Sequence, residues 1–478
     1  MTGAGGHPHN DSARLSFVII GESTRRANDP IYSLVEDENQ IRCIAQPNWG
    51  GRRGTMVVGV TVRSSGTAMI RGGGRLVGFG LSVALLAISS LVLIPVMVDA
   101  GGLPAWGSIA VGQTVGTVAA VLVYFGWGHT GPAMIARADA AERRAEFADS
   151  VRTRLLLFLP VVVIACVLAA LVAPSHALLA AAGCLSATAV GFTSDWYFVG
   201  SRRPYAYLAF ETVPRVLGTA AGIVFLVNGA PVIAGPLCML AGMLLAFAAT
   251  SWWILRRPAP EESARRPVGE IILAQRNGVG SGVGTSAYSA LPLVLISLVT
   301  PGIQPSYALV DKLQRQLSVA LGPVVAVVQG HVPRRDVSVT VRRARQALLA
   351  GAVFSVLLAG AVLIAAPWLF AWLGAGQAQP EYAVMVLMSV FVGLNVWESI
   401  LARAVLAAFG RLDAVARGTL VSVVVGLPLV VLGALTFGLV GAFVGLLTGL
   451  AARAAFELIV AVIFMRRAVH PTDEKGSR

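Results

Sequence analysis

Apolar residues run through this chain in long unbroken stretches, and the polar residues are confined to the gaps between them. Twelve stretches are long enough to cross a bilayer: residues 76–98, 106–126, 155–173, 176–196, 207–228, 231–254, 278–299, 305–330, 347–371, 382–408, 414–434 and 437–465. About 20 residues suffice for a helix to span the hydrocarbon core. The pattern therefore predicts an all-α integral membrane protein of about 12 transmembrane helices.

The gaps alternate in charge. Arginine stands before the first stretch (Arg63, Arg71, Arg75), after the second (Arg137, Arg143, Arg144, Arg152, Arg154) and after the fourth (Arg202, Arg203). It returns after the sixth (Arg256, Arg257, Arg265, Arg266, Arg276) and after the eighth (Arg334, Arg335, Arg342, Arg343, Arg345), then at Arg411, Arg466 and Arg467. The intervening gaps contain no Lys or Arg. Basic loops stay in the cytoplasm, so the expectation is a multi-pass protein of the cytoplasmic (inner) membrane with both termini inside.

Composition changes little. A chain that is 56% hydrophobic and 13% charged lies outside the soluble range. The formal net charge of +13 would suit nucleic acid, but the cations sit in short loops beside membrane spans. There they meet anionic lipid headgroups, at about 1 kcal/mol each, and no nucleic-acid partner is expected. Residues 1–70 stand apart from the pattern. They mix short β-like runs at Leu15 to Ile20 and Thr55 to Val62 with Gly, Asn, Asp and Arg, and are read as a disordered extension or as a segment outside the native coding sequence, with Met56 and Met69 as alternative starts. Its Cys43, like Cys166, Cys184 and Cys238 inside spans, has no metal-like spacing.

The chain repeats its plan at half length. Arg143-Arg144 and Arg342-Arg343 occupy the same place in two long basic loops, 199 positions apart, and both halves turn after their fourth span at a glycine with arginine close behind, Gly200-Ser201-Arg202 and Gly410-Arg411. Six spans per half gives parallel repeats related by an axis along the membrane normal. The expected organisation is a first six-helix lobe at 71–257, a cytoplasmic linker at 258–277, a second six-helix lobe at 278–467 and a tail at 468–478, with a central cavity between the lobes.

Charges inside spans are the candidate chemistry, because an ionisable group at mid-bilayer costs about 2.5–3.5 kcal/mol and faces a wet cavity or a partner. Glu211 and Arg215 lie on the fifth span, Asp311, Lys312 and Arg315 on the eighth, Glu398 and Arg403 on the tenth, and Arg453 and Glu457 on the twelfth. Four-residue spacing pairs Glu211 with Arg215, Asp311 with Arg315 and Arg453 with Glu457. Lys312 is left without an acid, about 10 Å below the outer end of its helix, and is the best candidate to hold an anion. Trp196 and Tyr197 read first as interface anchors, with sugar stacking the alternative. The six histidines stand without paired carboxylate or cysteine at ligand spacing, and no GxxxxGK[ST] loop is present. Neither catalysis, a metal nor a cofactor is expected.

Three strings narrow the class. FGWGHTGPAMIARADAAERRAEF follows the second span, SDWYFVGSRRPYAY ends the fourth, and PSYALVDKLQRQLSVALGPVVAVVQGHVPR forms the eighth. Their order and spacing resemble the polysaccharide-transporter branch of the multidrug/oligosaccharidyl-lipid/polysaccharide exporter superfamily, the O-antigen and capsule repeat-unit flippases. The matches are Trp196, Tyr197, Phe198 and Gly200 in the fourth span, Tyr307, Ala308, Asp311 and Lys312 in the eighth, and Pro333-Arg334 after it. The seventh span departs from the family pattern: Ala287 to Val299 reads AYSALPLVLISLV, without the acidic-basic pair.

The resemblance implies transport of a lipid-linked oligosaccharide, driven by a proton or cation gradient, beside polysaccharide polymerase or glycosyltransferase partners. A drug/cation antiporter and a non-transporting scaffold for cell-wall synthesis are the alternatives. Lys312, Arg315, Asp311, Arg215 and Glu211 are the expected cargo-binding cations and partners, with Trp196, Tyr197, Glu398 and Arg403 at the cavity or interface.

Overall fold

The computed structural model describes residues 31–37, 40–46, 48–49, 52–53, 56–60, 66–256, 266–334 and 336–469. The Leu15 to Ile20 run, most of the tail, and Arg257, Arg265 and Arg335 lie outside them. The chain divides into two compact units, Met1–Val77 and Gly78–Arg478.

In the first unit, β1 (Ile31–Asp37), β2 (Gln40–Gln46) and β5 (Met56–Val60) form a three-stranded antiparallel sheet in the order β1-β2-β5, with Ile31 opposite Gln46 and Ile41 opposite Val60. The short β3 (Asn48–Trp49) and β4 (Arg52–Arg53) pair with each other. Within the first seventy residues the described segments are these strands and, from Gly66, the start of a helix; β5 falls in the Thr55 to Val62 run.

The second unit is helical. In chain order it contains α1 (Gly66–Tyr124, continuing from the first unit), α2 (Trp127–Arg137), α3 (Ala140–Val172), α4 (Ala177–Thr188), α5 (Asp195–Gly200), α6 (Pro204–Tyr207) and α7 (Val213–Val227). There follow α8 (Ala234–Leu255), α9 (Val268–Val299), α10 (Gln304–Ala320), α11 (Gly322–His331), α12 (Val337–Leu373), α13 (Tyr382–Ile400) and α14 (Leu412–Val469). Among the described residues, eight helices are long and apolar enough to cross a membrane, and nine if Ser289–Val299 and Pro301–His331, which turn through 120°, count as one span. Large apolar side chains face outward, among them Leu171 at 74% and Phe437 at 76% exposure. A surface of that kind belongs in lipid, and the chain is a multi-pass membrane protein.

Part of the difference from twelve has a backbone cause. α1 and α14 are each two helices joined across a kink, at Gly102 (φ 78°) and Gly438 (φ 60°), where only glycine adopts such angles freely. Gly102 falls in the predicted loop from Asp99 to Ala105, and Gly438 lies two residues past the loop predicted at Thr436.

The two halves of the chain make matching local contacts. α3 and α12 each begin on an aspartate cap: Asp139 accepts from the Ala141 and Glu142 amides, and Asp336 from the Ser338 amide. The arginine doublets, read as loop residues, sit in the first turns of these helices. Each reaches back to the preceding helix, Arg143 donating to the Ile135 carbonyl at 2.8 Å and Arg343 to that of His331 at 3.0 Å.

Core packing differs between the two ends of the bundle. Around the arginine-free loops one cluster joins both halves, including Leu93, Met97 and Trp106 from the first and Tyr307, Phe370 and Phe443 from the second. Around the arginine-bearing loops the clusters separate. Trp127, Phe147, Trp196 and Ile254 pack together with Ile271 of α9, while Val332, Val341, Ile400, Leu406 and Met465 form a second-half cluster of their own.

Candidate functional site

Below the shared core, α1, α9 and α10 enclose a cavity of about 140 Å³ lined by Gln113, Thr117, Ser289, Asp311, Lys312 and Arg315 among others. Asp311, Lys312 and Arg315 come together as the helical spacing predicts: Arg315 Nε donates to Asp311 Oδ2 at 2.7 Å. Gln314 Nε2 donates to the other oxygen of Asp311 at 3.2 Å, and Arg315 also donates to the Ser289 carbonyl of α9. The Asp311 carboxylate is therefore held from two sides and is 5% exposed.

Lys312 has a neutral partner. Its ammonium donates to Gln113 Oε1 at 3.3 Å. An amide satisfies a hydrogen bond without cancelling charge, so two basic side chains against one carboxylate give the lining a formal charge of +1. Gln113 lies 199 positions before Lys312, the same interval that separates the arginine doublets. Gln113 comes from the first half of the chain and Lys312 from the second, so the cavity is lined from both halves.

Glu211 and Arg215 lie elsewhere, outside the lining of this cavity. Glu211 is fully buried on a π-helical turn at Leu208–Thr212 that precedes α7. It accepts from the Thr193 hydroxyl at 2.7 Å and the Ser194 amide at 3.4 Å, with Arg215 at 3.8 Å. These contacts come from the break in the fourth span, where α4 gives way to a 3-10 turn at Ala189–Phe192 before α5. A third member was missed by sequence reading. Arg154 counts as a loop arginine there, yet it is fully buried on α3 and donates to Thr193 O at 2.7 Å, Ser150 O at 3.3 Å and Ser150 Oγ at 2.5 Å. Its guanidinium also lies 6.0 Å from the Trp196 ring and 5.8 Å from that of Phe247. Beside it the Tyr124 hydroxyl donates to Asp195 Oδ1 at 2.5 Å.

Trp196, expected at the headgroup level, is 1% exposed and packs on Trp127 with ring centroids 4.9 Å apart and on Phe147 at 6.1 Å. Tyr197 meets Phe147 edge-on at 5.4 Å. Both rings belong to the first-half core.

In the second half Glu398 and Glu457 share one cation. Arg453 Nη2 is 2.5 Å from Glu398 Oε1, and its Nε is 2.9 Å from Glu457 Oε1. The helical spacing reveals the Arg453–Glu457 pair, but the link to Glu398 runs between α14 and α13 and has no sequence signal. Arg403 is exposed on the π-helical turn at Leu401–Leu406. Among the described residues, no three His, Cys, Asp or Glu side chains converge as metal ligands.

Solved structures share this architecture. Over 82% of the chain and 99% of its own length, a multidrug resistance MATE family transporter of the MOP superfamily in its inward-facing conformation superposes with a TM-score of 0.61 at 14% identity. Lipid II flippase MurJ in an inward closed conformation covers 82% of the chain and 89% of its own, with a TM-score of 0.59 at 11% identity. The chain shares the fold of these two proteins. No family model matches the sequence, and no curated protein does either.

Proposed function

We propose that the protein is a transporter, not an enzyme, that moves a polyprenyl-pyrophosphate-linked oligosaccharide across the cytoplasmic membrane by alternating access. The MATE and MurJ likeness supports transport, and the cationic cavity lined from both halves carries the choice of an anionic cargo. A phosphate oxygen about 4 Å from the Lys312 ammonium would gain about 4 kcal/mol at an effective dielectric of about 20. Arg315 adds planar donors suited to phosphate.

The reading takes the chain as twelve spans in two six-helix lobes. The eight candidate spans, two of them divided at Gly102 and Gly438, together with the two arms of the 120° turn make that number. Arginine-bearing loops, and with them both termini, face the cytoplasm. The sugar and pyrophosphate occupy the cavity while the lobes rock about it. Arg215 and Glu211 then act by positioning the first lobe, because the cavity lining does not include them. Anionic headgroups at the basic loops, and polymerase or glycosyltransferase partners, belong to the same reading.

A drug/cation antiporter is the second reading, favoured by the carboxylate of Asp311 in the same cavity and by the multidrug transporter among the structural neighbours. Deleting the gene and quantifying polyprenyl-linked oligosaccharide by mass spectrometry separates the two. Accumulation of one lipid-linked repeat unit, reversed by the native chain and not by Lys312→Ala/Arg315→Ala, is expected. Altered drug sensitivity with no accumulated lipid would replace the flippase by the antiporter.

A further inference from the structure

The two halves meet along two seams that the repeat makes equivalent, and the seams differ. Where the first span meets the eighth, Gln316 Nε2 donates to Ser90 Oγ at 2.9 Å and ties the helices together. Where the second span, on α1, meets the seventh, on α9, a groove of about 300 Å³ opens instead, completed by α3. Its walls are aliphatic: Val118 and Leu122 from α1, Val161 and Leu168 from α3, Leu291 and Val294 from α9. Leu168 is 50% exposed and neighbouring Ile164, also in the wall, 62%, so the groove faces the lipid.

This groove and the cationic cavity are back to back. Ala290 lines both. On α9 the cavity takes Ser286, Ser289 and Leu293 and the groove takes Ala287, Leu291 and Val294; on α1 Gln113 and Thr117 face the cavity while Val118 and Leu122 face the groove. Arg315, which donates to the Ser289 carbonyl, stands at the wall between them. An apolar slot open to lipid that abuts a net-positive polar cavity fits one molecule with a hydrocarbon chain on one side and an anionic headgroup on the other.

We propose that the groove holds the polyprenyl chain of the cargo while its pyrophosphate sits at Lys312 and Arg315, so that the lipid enters and leaves through the α1–α9 seam. The inference rests on the flippase reading and adds to it the route and the site of the tail. The polar tie between Ser90 and Gln316 keeps the other seam shut to a lipid chain. Burying several methylenes in the groove accounts for selection of a long-chain lipid over a soluble pyrophosphate, since each buried CH₂ contributes about 0.8 kcal/mol.

The test uses the full chain in phosphatidylcholine nanodiscs, titrated with a long-chain polyprenyl pyrophosphate and separately with inorganic pyrophosphate. Val118→Trp/Val294→Trp fills the groove without touching the cavity. It should weaken polyprenyl pyrophosphate binding by about tenfold or more, and leave inorganic pyrophosphate within about twofold. Lys312→Ala/Arg315→Ala should weaken both. If the groove variant binds the long-chain lipid as well as the native chain, the tail lies elsewhere, and the flippase reading stands without this inference. A native chain that binds neither pyrophosphate sinks both. Should the tryptophan variant fail to fold, a photoreactive benzophenone side chain at the exposed position 168 decides: an adduct carrying the prenyl chain is expected, and an adduct with a phosphatidylcholine acyl chain in the presence of the polyprenyl probe overturns the proposal.

Discussion

The two ends of the helical bundle are built from the same twelve apolar stretches but hold together differently. At the arginine-free end one core runs across both halves and includes Tyr307 and Phe443, whose rings lie 5.1 Å apart at a tilt of 32°. Hydrogen bonds cross the halves there too, from Gln377 to the Val98 carbonyl at 3.2 Å, from Gln304 to the Gly107 carbonyl at 2.9 Å and from Ser297 to the Val172 carbonyl at 2.8 Å. At the arginine-bearing end, among the described residues, each half has its own cluster; the Arg154, Thr193 and Glu211 network lies within the first half, while Arg266, just before α9, reaches Glu146 and Asp149 of α3. A core packed across both halves excludes water between them, whereas separate clusters do so only within each half. The cavity at Lys312 borders the shared core, since Leu293 and Ala308 belong to both.

The comparison breaks most severely if the shared end is locked. In a chain with its native cysteines replaced, a Val172→Cys/Ser297→Cys pair should form a disulfide that abolishes transport until a reductant is added. Transport at the native rate through an oxidised pair would remove the need for that end to open. Loosening the same end is the next largest effect. Phe443→Ala should lower unfolding stability by about 3–5 kcal/mol, measured in detergent, and admit a water-soluble thiol reagent to the cavity from the arginine-free side.

Arg453→Ala at mid-bundle should cost about 3–5 kcal/mol, because it leaves the buried Glu398 and Glu457 carboxylates facing each other without their shared cation. Adding Glu398→Gln and Glu457→Gln should recover most of it. The smallest change is at the arginine-bearing end, where Asp139→Ala removes the cap of α3 for about 1 kcal/mol. Transport there should be unchanged, since the cap lies on one half alone.

Much of this was legible in the residues. Uninterrupted apolar runs and alternating arginine loops carry the helical membrane architecture, and four-residue spacing carries the Asp311–Arg315, Glu211–Arg215 and Arg453–Glu457 contacts because those depend on one helix each. What escaped depends on contacts between helices. Gln113 is an ordinary polar residue until its repeat mate Lys312 is set against it, although the 199-residue interval was present in the sequence. Arg154 reads as a loop cation because loops and helix ends look alike in charge, and its burial comes from the broken fourth span that offers it the Thr193 carbonyl. The Glu398–Arg453 contact and the burial of Trp196 among Trp127 and Phe147 likewise need the packed fold.

The most direct test places a single cysteine at Thr117, an exposed residue of the cavity wall, in a chain whose Cys43, Cys166, Cys184 and Cys238 are replaced. A membrane-impermeant maleimide is applied to right-side-out and to inside-out vesicles. The account predicts labelling from the side of the arginine-bearing loops alone, lost when polyprenyl pyrophosphate occupies the cavity. Labelling from the arginine-free side, or equal labelling from both, would contradict it.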